Sequence, residues 1–183
     1  MKRSAERNAV KVVEAALQHF GCIDLLVNNA GIFLPKAFTD YTEEDYNLVM
    51  NTNVASFFYM TQQVIAPMKM QNSGHVVNIS AVIADQPSSG ALLAVLSKSP
   101  MPAVSKALAL EFAANNIRFN TVSPGVVSTP LHAQDDHTAL AKFHPLARMG
   151  EVSDIVDAIL YLQNASFVTG ENIRVDGGVH AGR

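Results

Sequence analysis

Three apolar runs each finish on a small polar side chain: Ile23 to Asn28 at Asn28, His75 to Ser80 at Ser80, and Ile117 to Val122 just before Ser123. Asparagine and serine offer both hydrogen-bond donors and acceptors. If the runs are parallel strands, their tips share the crevice where α/β folds bind ligands. Groups that could move a proton there include Asp85, soon after the second run, and His132, His137 and His144 in one polar stretch. Histidine is the usual proton carrier near neutral pH, although a histidine in an exposed loop is more often simply solvated. No His, Cys and Asp cluster has metal-ligand spacing. No nucleophile-elbow motif supports a Ser-His-Asp hydrolase.

The elements that must position these residues alternate. Ala9, Val13, Ala16, Leu17 and Phe20 repeat at helical spacing, and Gly21 follows as a stop. Thr42-Glu43-Glu44-Asp45 resembles a capping box that opens a long helix to about Gln71. Gly90 to Asn115 is helical by composition, but Pro100 and Pro102 predict a break near Ser99, because proline removes a hydrogen bond and clashes with the preceding turn. Ser128 to His144 reads as a polar, mobile segment, Val152 to Leu162 as a helix, and Ile173 to Val175 as a last short strand. Val54, Phe57 and Phe58 read as core residues. The alternation predicts an α/β three-layer sandwich, a parallel sheet with helices on both faces.

The totals bound what the protein can be. The chain has 183 residues, which suits one domain over 1–183. It is 49% hydrophobic and 16% charged, enough apolar material for a core and too little charge for a disordered chain. A net charge of −3 gives no reason to expect a nucleic-acid partner. No apolar run approaches the roughly 18 residues of a membrane span. Met1-Lys2-Arg3 is followed by Glu6, Lys11 and Glu14, so the start reads as an amphipathic helix rather than a signal peptide. Cys22 is the only cysteine, which excludes an intrachain disulfide and favours a cytoplasmic setting.

Five patterns stand in order: Asn28-Asn29-Ala30-Gly31, Met50-Asn51-Thr52-Asn53-Val54, Asn78-Ile79-Ser80, Ser123-Pro124-Gly125-Val126-Val127-Ser128-Thr129, and Val175-Asp176-Gly177-Gly178. Together they resemble the short-chain dehydrogenase/reductase family, near the 3-oxoacyl carrier-protein reductase type, over almost the whole chain. The resemblance implies a Rossmann-like sheet, NAD or NADP as cofactor, a small carbonyl or alcohol substrate, and a homodimer or homotetramer. It implies that Asn28, Ala30 and Gly31 line the adenosine and ribose side of the cofactor, and that Pro124, Gly125, Val127 and Thr129 cradle the nicotinamide. Lys98, in Leu96-Ser97-Lys98, would hold the ribose hydroxyls, and Asn53 a water of the proton relay. The plainer alternatives are structural turns for the two loops, a surface lysine, and a helix-bend asparagine.

The sequence departs from that pattern. None of its ten glycines falls in the Gly-x-Gly-x-x-Gly spacing that binds pyrophosphate. The resemblance therefore implies a sheet truncated on its N-terminal side, lacking the first βαβαβ unit, with Leu25, Leu26 and Val27 on an exposed edge. The family tyrosine, four residues before the lysine, is Ala94, and the family serine position is Ala81. Ser80 stands beside it and is the catalytic serine candidate, with Lys98 and Asn53. Two functions follow as expectations. One is nicotinamide-dependent hydride transfer to a ketone or from a secondary alcohol. The other is a catalytically impaired remnant that acts by oligomerising or binding a partner.

Overall fold

A computed structural model describes residues 2–182, with side chains from residue 5. Helix α1 (Lys2–Phe20) ends where Gly21 takes φ +80°, a conformation glycine adopts without strain. Strand β1 (Leu25–Asn28) follows. Helix α2 (Glu43–Met50) opens on a reciprocal box: the Asp45 N–H donates to the Thr42 hydroxyl, and the Thr42 N–H donates to the Asp45 carboxylate. The expected single helix to Gln71 is interrupted by a π-helical turn (Asn51–Ala55) before α3 (Ser56–Gln71). Such turns insert one extra residue and recur at functional sites. Here the turn carries Asn53, whose side chain leaves the helix for another loop.

Strand β2 (Gly74–Ile79) leads to α4 (Leu92–Lys98) and α5 (Met101–Phe112). The expected break falls at Ser99-Pro100. Pro102 has no N–H for the carbonyl of Lys98, four residues back. That carbonyl instead accepts the Ser80 hydroxyl at 2.8 Å. Strand β3 (Ile117–Pro124), α6 (His137–Lys142), α7 (Val152–Asn164) and β4 (Asn172–Val175) complete the chain. The segment expected to be mobile instead contains a 3-10 turn (Pro130–His132) and α6, whose first N–H groups are capped by Asp136.

The sheet is parallel, in the order β1-β2-β3-β4, with Asn28 level with Asn78 and Asn78 level with Thr121. Among the described residues β1 has a neighbour on one side only, so Leu25, Leu26 and Val27 lie on an edge, but they are half-buried against the two helical layers rather than exposed. Alternate residues face opposite layers. Val76, Ile117 and Phe119 join Val13, Val64, Met68, Ala109 and Phe112 from α1, α3 and α5. Val77, Ile79 and Val122 pack with Leu162 of α7. Phe57 is buried, but Phe58, expected in the core, is 55% exposed because the next helical position turns to solvent.

The N-terminal end of the sheet carries a polar clamp. Arg118 donates to the carbonyls of Leu162, Gln163, Ala165 and Val168, at the end of α7 and just beyond it. His75 is fully buried beside it, 2.8 Å from Gln163 Oε1 and 3.0 Å from Asn120 Nδ2. Burial drives His75 down to about 4, outweighing the Gln163 hydrogen bond, with the Arg118 charge acting in the same direction as burial. Below its unfolded pKa of about 6.5, an unfolded chain takes up a proton that the folded chain refuses. This histidine therefore removes stability as pH falls from about 6.5 to about 4, by up to roughly 1.4 kcal/mol per pH unit. Urea midpoints measured between pH 7 and pH 4.5 should show that loss, and His75→Gln should flatten it. An equal slope in the variant would refute the assignment.

Candidate active site at the strand tips

Because the strands are parallel and in register, the tips of β1, β2 and β3 lie side by side. Beneath them runs a line of polar side chains. Asn28 Nδ2 donates to Thr61 Oγ1 at 3.0 Å and to Asn78 Oδ1 at 2.9 Å. Asn78 Nδ2 donates to Ser105 Oγ, which is 2.8 Å away and itself 2.7 Å from Thr121 Oγ1. The amide of Asn28 is thus spent on tying the tips together.

Above that line, the loop after β1 crosses α4 closely. A Cβ on Gly31 would lie 3.2 Å from Lys98 Nζ and 3.4 Å from Asn53 Oδ1. Asn53 accepts from the Ile32 N–H at 2.8 Å and donates to the Ile32 carbonyl and to Ser97 Oγ, both at 3.0 Å. Its amide clamps the loop, with both of its N–H donors committed. Lys98 Nζ donates to the Ile79 carbonyl at 2.7 Å, and no carboxylate pairs with it among the described residues. Burial pushes this ammonium down to about 8. Ser80 is buried, its hydroxyl proton committed to the Lys98 carbonyl.

A hollow of about 190 Å³ opens here, lined by Asn28, Ala30, Asn53 and Lys98 on its polar side and by Val27, Phe57, Met60, Ile79 and Met101 on its apolar side. Ser123 does not join it. Its hydroxyl donates to Asn172 Oδ1 at 2.8 Å and the side chain is fully buried. The three tips are neighbours, but the third turns its serine into the sheet.

The loop after β3 belongs to a second hollow of about 280 Å³, on the β4 side, which Gly125 lines with His144, Asp176 and Gly177. Pro124, Val127 and Thr129 line neither hollow. The Gly125 N–H donates to the Val175 carbonyl, and the Ser128 N–H to the Gly150 carbonyl. His144, read from sequence as a mobile candidate acid, is buried and holds this loop. Nδ1 lies 3.0 Å from the Leu140 carbonyl and Nε2 accepts from the Val126 N–H at 2.9 Å. No local pattern could have shown the second contact, because it depends on α6 folding back. Asp176, buried, caps the Gly178 and His180 N–H groups. Burial raises that carboxyl, but the hydrogen bonds from His180 and Gly178 outweigh it and hold it below the usual range.

The fit around Gly125 is testable. A Cβ there would sit 2.7 Å from His144 Nε2 and 3.0 Å from the Asp176 Cα, a backbone atom. Gly125→Ala should cost about 1–3 kcal/mol. Thermal unfolding checks this, and His144→Ala should relieve part of the cost but not all. A Gly125→Ala protein as stable as its parent would contradict the packing. Among the described residues, no group of three or more His, Cys, Asp or Glu could hold a metal ion, and no helix is long and apolar enough to cross a membrane.

Comparison with known proteins agrees with this architecture. A family model described as "Enoyl-(Acyl carrier protein) reductase" matches residues 4–180. The 3-oxoacyl-[acyl-carrier-protein] reductase FabG of Thermotoga maritima is 38% identical over 181 residues, covering 95% of this chain and 73% of that protein. The 3alpha-hydroxysteroid dehydrogenase of Mediterraneibacter gnavus is 34% identical over 188 residues, covering 99% and 74%. The structure of ElxO with NADP bound superposes with a TM-score of 0.90 at 26% identity, covering 97% of this chain and 75% of that one. The chain belongs to the short-chain dehydrogenase/reductase family, whose members are NAD(P)-dependent oxidoreductases. It spans about three quarters of the length of these relatives.

Proposed function

We propose that this chain, one domain over residues 1–183, carries out NAD(P)-dependent hydride transfer between nicotinamide and a ketone or secondary alcohol. The observation that carries the reading is the Lys98 ammonium, without a carboxylate partner among the described residues, held against Gly31 at the tips of β1 and β2. The fit of a nicotinamide cofactor is partial. Gly31 leaves a cradle that a Cβ would fill, and Ala30 and Gly31 expose backbone beside a cation. However, the hollow is smaller than the roughly 300–1,000 Å³ of most ligand pockets. It suits the nicotinamide–ribose end. No glycine spacing for the pyrophosphate exists among the described residues.

In this reading Lys98 holds the ribose hydroxyls, and the Ile79 carbonyl fixes its direction. Asn28, Ala30 and Gly31 border the ribose, while Pro124, Gly125, Val127 and Thr129, none of which lines that hollow, would flank the nicotinamide where it extends beyond it. When bound, the nicotinamide supplies or accepts the hydride. Ser80 could share a proton only by releasing the Lys98 carbonyl. Ala94 offers no proton, so water is the remaining donor and turnover is slow. A cytoplasmic homodimer or homotetramer is proposed with this activity.

The test is a titration with NADH and NADPH followed by nicotinamide fluorescence. Saturable but weak binding is expected, weaker still in Lys98→Ala. An absence of saturation in the parent chain would count against the reading. A second reading, a non-catalytic remnant acting by oligomerisation or partner binding, is favoured by Ala94, Ala81 and the exposed Phe58, Met70 and Leu110 on α3 and α5. Steady turnover with a carbonyl panel, lost in Lys98→Ala, would end it.

A further inference from the structure

Lys98 has an unusual position for an amine. It reaches the wall of a hollow whose other lining is mostly aliphatic, aromatic or thioether, through Val27, Phe57, Met60, Ile79 and Met101. Nζ donates to the Ile79 carbonyl at 2.7 Å, and a Cβ added to Gly31 would lie 3.2 Å from Nζ and 3.4 Å from the Asn53 Oδ1. No acidic or basic side chain is among these groups. Ser80 and Ser97 are turned away, donating to the carbonyls of Lys98 and Ala94. The neighbouring helical position that would present a phenol is an alanine. Among the described residues the amine's one hydrogen bond goes to the Ile79 carbonyl, and its neutral form keeps a lone pair free for chemistry.

We infer that Lys98 captures small apolar aldehydes and ketones covalently, as an imine, in the hollow at the tips of β1 and β2. The Nζ lone pair forms a C–N bond to the carbonyl carbon while the C=O π pair moves to oxygen. That oxygen takes one proton from nitrogen, giving a carbinolamine. Loss of water, carrying the second nitrogen proton, leaves the C=N bond. One carbonyl and one amine give one imine and one water, and nothing is oxidised or reduced. The size of the guest follows from the space. A cavity of about 150 Å³ accommodates benzene, so about 190 Å³ suits an aryl or short branched carbonyl compound. The apolar walls favour such a guest over a sugar or a keto acid. The inference concerns the same lysine as the proposed function but does not require nicotinamide.

Burial also favours reaction. With burial holding Lys98 near 8, its neutral form at pH 7 is far more abundant than that of an ordinary exposed lysine. The test uses the folded chain, benzaldehyde and cyanoborohydride at pH 7, which reduces an imine to a stable benzylamine. Intact mass counts the benzyl groups, and peptide mapping separates Lys98 from the other lysines and from the α-amino group. The expected result is benzylation of Lys98 at least roughly tenfold faster than any other lysine side chain. This preference should disappear in urea and be absent from Lys98→Arg. Labelling of Lys98 no faster than that of surface lysines in the folded parent chain would overturn the inference, and that readout needs no variant. NADPH titration of the same sample separates failure here from failure of hydride transfer.

Discussion

Ala94→Tyr should raise carbonyl reduction by about 10²–10⁴-fold at saturating NADPH, the usual contribution of a positioned general acid. That is roughly 3–5 kcal/mol of transition-state stabilisation. The geometric reason is helical. Residues 94 and 98 both lie on α4, one turn apart, so their side chains share a face. A phenol at 94 would stand beside an ammonium that has no acid partner, and that charge would favour phenolate and lower the phenol's pKa. Ala94 is only 7% exposed, so the larger ring should also overpack, at about 1–3 kcal/mol of stability. Ala94→Phe separates the two effects, since it adds the ring without the hydroxyl. Initial rates over a carbonyl panel should rise in the tyrosine variant and stay at the parent level in the phenylalanine variant. Equal rates in all three proteins would mean that the missing acid does not limit this chain.

Phe119→Ala should be the most damaging single truncation for folding, at about 3–5 kcal/mol. Phe119, the third residue of β3, is fully buried between the sheet and the layer of α1, α3 and α5. Its ring lies 5.8 Å from that of Phe112 on α5. Val13, Val64, Met68 and Val76 close round the pair. Its backbone is fixed as well, receiving Gly170 N–H and donating to Thr169 Oγ1. The side chain therefore cannot follow a collapse into the space left behind. Against a typical total of about 5–15 kcal/mol, this loss threatens the folded state. Denaturant midpoints of Phe119→Ala and Phe119→Leu measure it, with the leucine variant expected to lose less. A loss under about 1 kcal/mol in the alanine variant would show that this layer is loosely packed.

Much of the molecule was legible in its sequence, for local reasons. Turn and cap chemistry is set by neighbours in the chain, so Gly21, the Thr42–Asp45 box and the break at Pro100 were all readable. Strand and helix alternation gave the parallel sheet, because a parallel connection needs a crossover. Lys98, Asn53 and Gly31 stood out through the resemblance to the short-chain dehydrogenase/reductase family that the five ordered patterns carry. Their mutual contact could not be read, since it joins three segments that are far apart in the chain.

Other features were decided only in three dimensions. The π turn carries Asn53 to Ile32, 21 residues away in the chain, and Phe58 faces solvent one helical position after the buried Phe57. His144 carries a side chain suited to proton transfer, and only the return of α6 buries it against Val126. Ser80 has a reactive hydroxyl in the right neighbourhood, yet Pro102 orphans the carbonyl that takes its proton. The sequence by itself determined the elements and their order, because those follow from periodicity and residue type, while Lys98 was singled out through the family resemblance. Tertiary structure decided which polar groups remain free for chemistry, because a buried donor or acceptor must find a partner and the partners come from distant parts of the chain.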